Sequence, residues 1–91
     1  MNQSQARELS IRLELPQLRG TVRDIKEAEI IRAQRLQIVP FFEEEWEIFM
    51  TNLSNRNLPE SSLWHLKSSD QANFWIENSD LDFWDLLAWF D

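Results

Sequence analysis

The chain has one histidine, one glycine and no cysteine, and those counts settle most of the chemistry open to it. A nucleophile paired with a base would have to use His65, because there is no thiol and no glycine-rich elbow surrounds any serine. His65 stands between Trp64 and Leu66, a setting for a structural or surface histidine. Carboxylates are plentiful, and Glu43 with Glu47 and Asp82 with Asp85 fall at helical spacing. Such pairs on solvated helix faces are the ordinary case, not an acid–base dyad. One histidine without a thiolate cannot supply the four nitrogen or sulfur ligands of structural zinc. The Glu43 to Glu47 run lacks the alternating oxygen ligands and central glycine of a calcium loop. A single glycine also rules out a phosphate-cradling loop. The sequence therefore predicts no enzyme, no catalytic residue, no metal and no cofactor.

Binding remains, and the distribution of charge says where. Residues 1–39 hold seven Lys/Arg against five Asp/Glu, whereas residues 40–91 hold two against eleven. Every aromatic side chain, Phe41 to Phe90, lies in that acidic part. A sequence pI near 4.6 opposes phosphate neutralisation, so nucleic acid is not expected as a partner. The basic residues of the first half alternate with Asp24, Glu27 and Glu29, as on a salt-bridged solvated face. The longest uninterrupted apolar run, Leu86 to Phe90, is far short of the roughly 20 residues that span a bilayer. No apolar signal-peptide core occurs in the first fifteen residues, so a cytoplasmic location without membrane attachment is expected.

The elements that must present a binding surface follow from periodicity. Leu9 to Leu15 alternates apolar and polar residues, the period of a half-buried strand, and Pro16 ends it. Thr21 is a suitable cap for a helix over Val22 to Val39, with Val22, Ile25, Ala33, Leu36 and Val39 on one face. Ile30, Ile31 and Ile38 point elsewhere, so this helix should touch two surfaces. Pro40 opens a second helix, followed by Glu43, Glu44 and Glu45 in its first turn. Phe42, Trp46, Phe49, Met50 and Leu53 form its narrow apolar stripe and are expected in the core. Leu63 to Lys67 and Ala72 to Glu77, joined by Ser68-Ser69-Asp70-Gln71, read as an aromatic hairpin. Ser79 then caps a C-terminal helix that is apolar around most of its circumference.

These elements predict a single small domain, residues 1–91, of α+β class. Strand, two helices, hairpin and C-terminal helix would give a three-stranded antiparallel sheet with helices on one face. An all-α bundle is the alternative. A sheet covers only one side of a helix, so the acidic-aromatic C-terminal helix is expected to face a partner with Phe83, Trp84, Leu87 and Phe90. The partner would be another protein or a second copy of the chain, giving a homodimer. Two other readings fit the composition. One is an acidic mimic that inhibits a basic DNA- or RNA-binding protein; the other is a small-ligand sensor with a Trp-lined pocket.

Overall fold

Asn2 starts the first helix through a signal that lies before the alternating stretch. Its side chain accepts the Gln5 N–H at 2.9 Å, and the Gln5 side chain accepts the Asn2 N–H at 2.9 Å. This reciprocal capping box satisfies two donors that a helix N-terminus otherwise leaves unpaired. In the computed structural model, which describes residues 1–90, helix α1 runs Gln3–Arg12. The expected strand is therefore helical. Its alternation contains Leu9 and Leu13, four apart, and with buried Ala6 these form the inward face. Ile11, the residue that makes the alternation strict, is 78% exposed.

Helix α1 ends without glycine. Glu14 adopts φ 55°, Leu15 N–H donates to the Ser10 carbonyl at 2.9 Å, and Glu14 N–H donates to that of Ile11 at 3.1 Å. That pair of bonds is a Schellman motif, with glutamate in the left-handed position that glycine normally takes. Pro16 follows and prevents further helix.

Thr21 caps α2 (Val22–Leu36) as expected, its Oγ1 accepting the Asp24 N–H at 3.2 Å. The inward face is Ala28, Arg32, Ala33 and Leu36; Val22, placed on it by periodicity, is exposed. Two alanines on that face let neighbouring helices approach closely, and α2 packs against both α1 and α6.

The expected second helix is two helices, α3 (Val39–Glu44) and α4 (Trp46–Asn55), broken at Glu45 with φ −113° and ψ 60°. The break rotates the stripe. Phe42, Phe49 and Leu53 are buried, but Trp46 is 40% exposed and does not belong to the core. Glu43 and Glu44 now sit at the C-terminal end of α3, not in a first turn, and Glu45 is the cap of α4. Asn57 (φ 55°) closes α4 with a second Schellman motif, Leu58 N–H donating to the Leu53 carbonyl at 2.9 Å, and Pro59 follows it.

The aromatic hairpin is likewise a pair of helices, α5 (Ser61–Lys67) and α6 (Ala72–Glu77). Aromatic residues favour strands only where a sheet offers packing partners. Here Leu63 with Leu66, and Ala72 with Trp75, are buried pairs three apart, the spacing of a helix face. The Ser68 to Gln71 segment is a turn, but it joins helices. Among the described residues the only strand-like pairing is one parallel bridge between Arg19 and Gln71. The described residues thus form an all-helical fold, and the expected three-stranded sheet is not formed among them.

That bridge nevertheless positions α6. Arg19 N–H donates to the Asp70 carbonyl at 2.7 Å, and Ala72 N–H donates to that of Arg19 at 2.9 Å. Gly20 follows with φ 149°, and a Cβ there would lie 3.2 Å from the Ala72 Cβ. The only glycine in the chain therefore marks where the α1–α2 linker passes closest to α6.

Helix α7 (Phe83–Ala88) is capped by Asp82, not Ser79; the Asp82 carboxylate accepts the Asp85 N–H at 2.9 Å. The loop before it is held by Arg35, whose guanidinium donates to the carbonyls of Leu81 and Ser79. Phe83, Leu86 and Leu87 are buried, and α7 packs on α5 while its first turn meets α3 and α4.

Candidate interaction surface

The aromatic residues divide into two clusters on opposite flanks of α7. In the first, Phe42 lies 5.0 Å from Phe49 and 6.0 Å from Phe83 between ring centroids. Trp84 closes it, 5.6 Å from Phe42 in an edge-on arrangement and 6.1 Å from Phe49. The Arg56 guanidinium caps the outer face of that indole, its carbon 4.5 Å from the ring centroid. Edge-to-face and offset contacts of this kind add to the burial itself. At its edge Phe41, 5.5 Å from Phe42, and Trp46, 5.1 Å from Phe49, reach the surface, 47% and 40% exposed.

The second cluster is a strip on the outside. Trp64 meets His65 edge-on at 5.0 Å, His65 stacks on Phe90 at 5.9 Å with 19° between planes, and Phe90 lies 5.7 Å from Phe74. Phe74 then meets Trp89 edge-on at 6.3 Å. Both ends of the strip are open to solvent, Trp64 at 66% and Trp89 at 60% exposure. Helices α5, α6 and the end of α7 each contribute. Their relative placement is fixed from beneath by Trp75, which is buried and donates its indole N–H to the Ser69 carbonyl at 3.0 Å.

The four residues expected to face a partner are divided by this arrangement. Phe83 and Leu87 are buried in the protein's own core. Trp84 is half-buried in the closed cluster, and Phe90 is half-buried in the strip. They do not share one exposed face. Trp64, His65, Phe74 and Trp89 were not singled out by the sequence as binding residues. Their signal is visible once Leu63 and Leu66 are taken as an inward helical pair, because Trp64 then points the other way.

The groups considered for catalysis are placed as follows. His65 is exposed and engaged by the faces of Phe90 and Trp64. Glu43 and Glu47 lie on different helices on either side of the Glu45 break, so their helical pairing is lost. Asp82 and Asp85 are joined through a helix cap. Among the described residues no cluster of three histidine or carboxylate side chains has metal-binding geometry, and no helix is long and apolar enough to cross a membrane.

Among the described residues one ionisable side chain is buried, and the sequence did not single it out for burial. Arg32 is 3% exposed; Nη1 donates to the Pro16 carbonyl at 2.7 Å and Nη2 to Ser10 Oγ at 3.2 Å. Its Nε has no hydrogen-bond partner. Burial lowers its pKa from the usual arginine value, and the nearby Glu29 carboxylate offsets part of that effect. Glu29 itself accepts a hydrogen bond from Gln3 and pairs with Arg7 at 3.5 Å. Arg32 thus ties the turn after α1 to the middle of α2, a structural role.

The class defined by this architecture is a small all-helical domain with an external aromatic strip. Comparison with known proteins finds no match: no family model fits the chain, and no curated protein or solved structure is significantly similar to it.

Proposed function

We propose that this chain is a non-catalytic protein–protein interaction module that self-associates through the strip formed by Trp64, His65, Phe74, Trp89 and Phe90. The observation that carries this reading is the unbroken ring-to-ring contact between two tryptophans, both more than half exposed. Aromatic area of this extent is on the order of the few hundred Å² above which monomeric surfaces rarely expose a contiguous apolar patch. A two-fold axis brings the same strip together on two copies, and such dimers are the commonest oligomers. Trp and Phe are also the side chains that dominate interface energetics. A cysteine-free chain needs no oxidising compartment, and a cytoplasmic setting belongs to the same proposal.

Sedimentation equilibrium tests it. The wild-type chain is expected to be dimeric at micromolar concentration, with Trp64→Ser and Trp89→Ser each shifting it toward the 11.0 kDa monomer. A wild-type monomer at high micromolar concentration would overturn the dimer and leave the strip for a different protein.

A further inference from the structure

A separate groove of about 860 Å³ lies between the end of α1, the start of α4 and helix α5. Its apolar walls include Trp46 and Trp64, and its rim carries the carboxylates of Glu14, Glu43 and Glu60 against the single ammonium of Lys67. Trp46 and Glu14 each occupy an unusual place in the fold. Trp46 has left the core for this wall, and Glu14 occupies a left-handed position where glycine would be less strained.

We propose that this groove binds an extended, cationic segment of another protein, with arginine or lysine alternating with aliphatic residues. Each wall has a chemical reason. Indole faces attract guanidinium and ammonium groups and cover their hydrocarbon stems. Carboxylates supply charge-assisted acceptors for the same groups. An extended chain directs alternate side chains to opposite sides, so cationic residues meet the glutamates while aliphatic ones meet the Leu13 and Leu63 side of the groove. The excess of carboxylates repels phosphate, which leaves nucleic acid out. The groove shares Trp64 with the self-association strip, whereas Trp46 belongs to the groove alone and Phe74, Trp89 and Phe90 to the strip alone.

The test is an NMR titration of the full chain, following the five tryptophan indole N–H signals, assigned by single Trp→Phe variants. The probe is a hexapeptide alternating arginine with leucine; its glutamate counterpart is the control. The Trp46 and Trp64 signals should move together and saturate, while those of Trp75 and Trp89 stay in place. The triple variant Glu14→Gln, Glu43→Gln, Glu60→Gln should weaken binding about tenfold, the sum of three modest rim interactions. Trp46→Ser should weaken it without unfolding the chain, because that indole is already partly solvated. Three results overturn the proposal: no movement at low salt with millimolar peptide, equal binding of the glutamate peptide, or affinity unchanged in the triple variant. A Trp46 signal that changes with protein concentration alone would assign the groove to a second copy instead.

Discussion

The closed cluster around Phe49 and the open strip around Phe90 use the same kinds of residue and have opposite fates. In the closed cluster, α3 and α4 fold back on each other at Glu45 and bring Phe42 and Phe49 onto the first turn of α7. Three helices surround the central rings of Phe42, Phe49 and Phe83, none of which is more than 7% exposed. In the strip, α5 and α6 lie beside the last turn of α7 with no helix over them, and Trp64 and Trp89 remain outside. The difference teaches that aromatic content alone does not separate core from contact surface. What separates them is whether a further element covers the rings: helices enclose Phe42, Phe49 and Phe83, whereas Trp64 and Trp89 stay exposed.

Mutation should split the two regions cleanly, and the largest effect belongs to the closed cluster. Phe49→Ala removes a fully buried ring and is expected to cost about 3–5 kcal/mol, enough to unfold much of a marginally stable domain. Chemical denaturation measures this. A midpoint close to wild type would mean that the cluster is less enclosed than its contacts indicate. Trp84→Ala, at the half-buried edge of the same cluster, should cost about 2 kcal/mol, including its contact with Arg56. Arg56→Gln should reproduce only a minor part of that loss.

Gly20→Ala tests whether the strip depends on the tie between the α1–α2 linker and α6. The strained φ and the 3.2 Å approach to Ala72 are expected to cost about 1–3 kcal/mol. Because α6 carries Phe74, self-association should weaken along with stability. A stability loss with unchanged dimerisation would show that the strip is held by α5 and α7 alone.

Trp89→Ser should have the smallest effect on folding, within about 0.5 kcal/mol, as expected of an exposed position. Its effect on sedimentation should be the largest of the five. Equal destabilisation by Trp89→Ser and Phe49→Ala would erase the distinction between the two clusters.

Several features of the fold were readable from the sequence because local chemistry alone dictates them. Thr21 is an N-cap wherever the chain goes next, and the expectation that α2 touches two surfaces agrees with its packing on α1 and α6. Pro40 near a helix start and the burial of Phe42, Phe49 and Leu53 belong to the same group. Two other signals were present and carried a meaning that composition obscured. Asn2 with Gln5 is a capping box, and Glu14-Leu15-Pro16 and Asn57-Leu58-Pro59 mark two helix ends in which no glycine announces the turn.

The sheet failed as an expectation for a physical reason. A segment such as Leu9 to Leu15 satisfies period two and also contains residues four apart, and short aromatic runs such as Leu63 to Lys67 fit either geometry. The choice between strand and helix then rests on partners distant in sequence. Here α2, with its alanine-lined face, offers α1 and α6 a helix to pack on, and each short element folds as a helix to use it.

By itself the sequence determined the acidic balance, the absence of thiol chemistry, the concentration of aromatics after residue 40 and the Thr21 cap that starts α2. Those properties depend on composition and on neighbours within four residues. Only the tertiary structure decided that Trp46 leaves the core, that Arg32 enters it, and that Trp64, Phe74, Trp89 and Phe90 meet on one surface. Each of these depends on the path of the chain between helices: the break at Glu45, the turn after α1 and the bridge from Arg19 to α6. Burial is settled by what packs from a distance, and a helix of six or seven residues carries too little pattern to name its own neighbours.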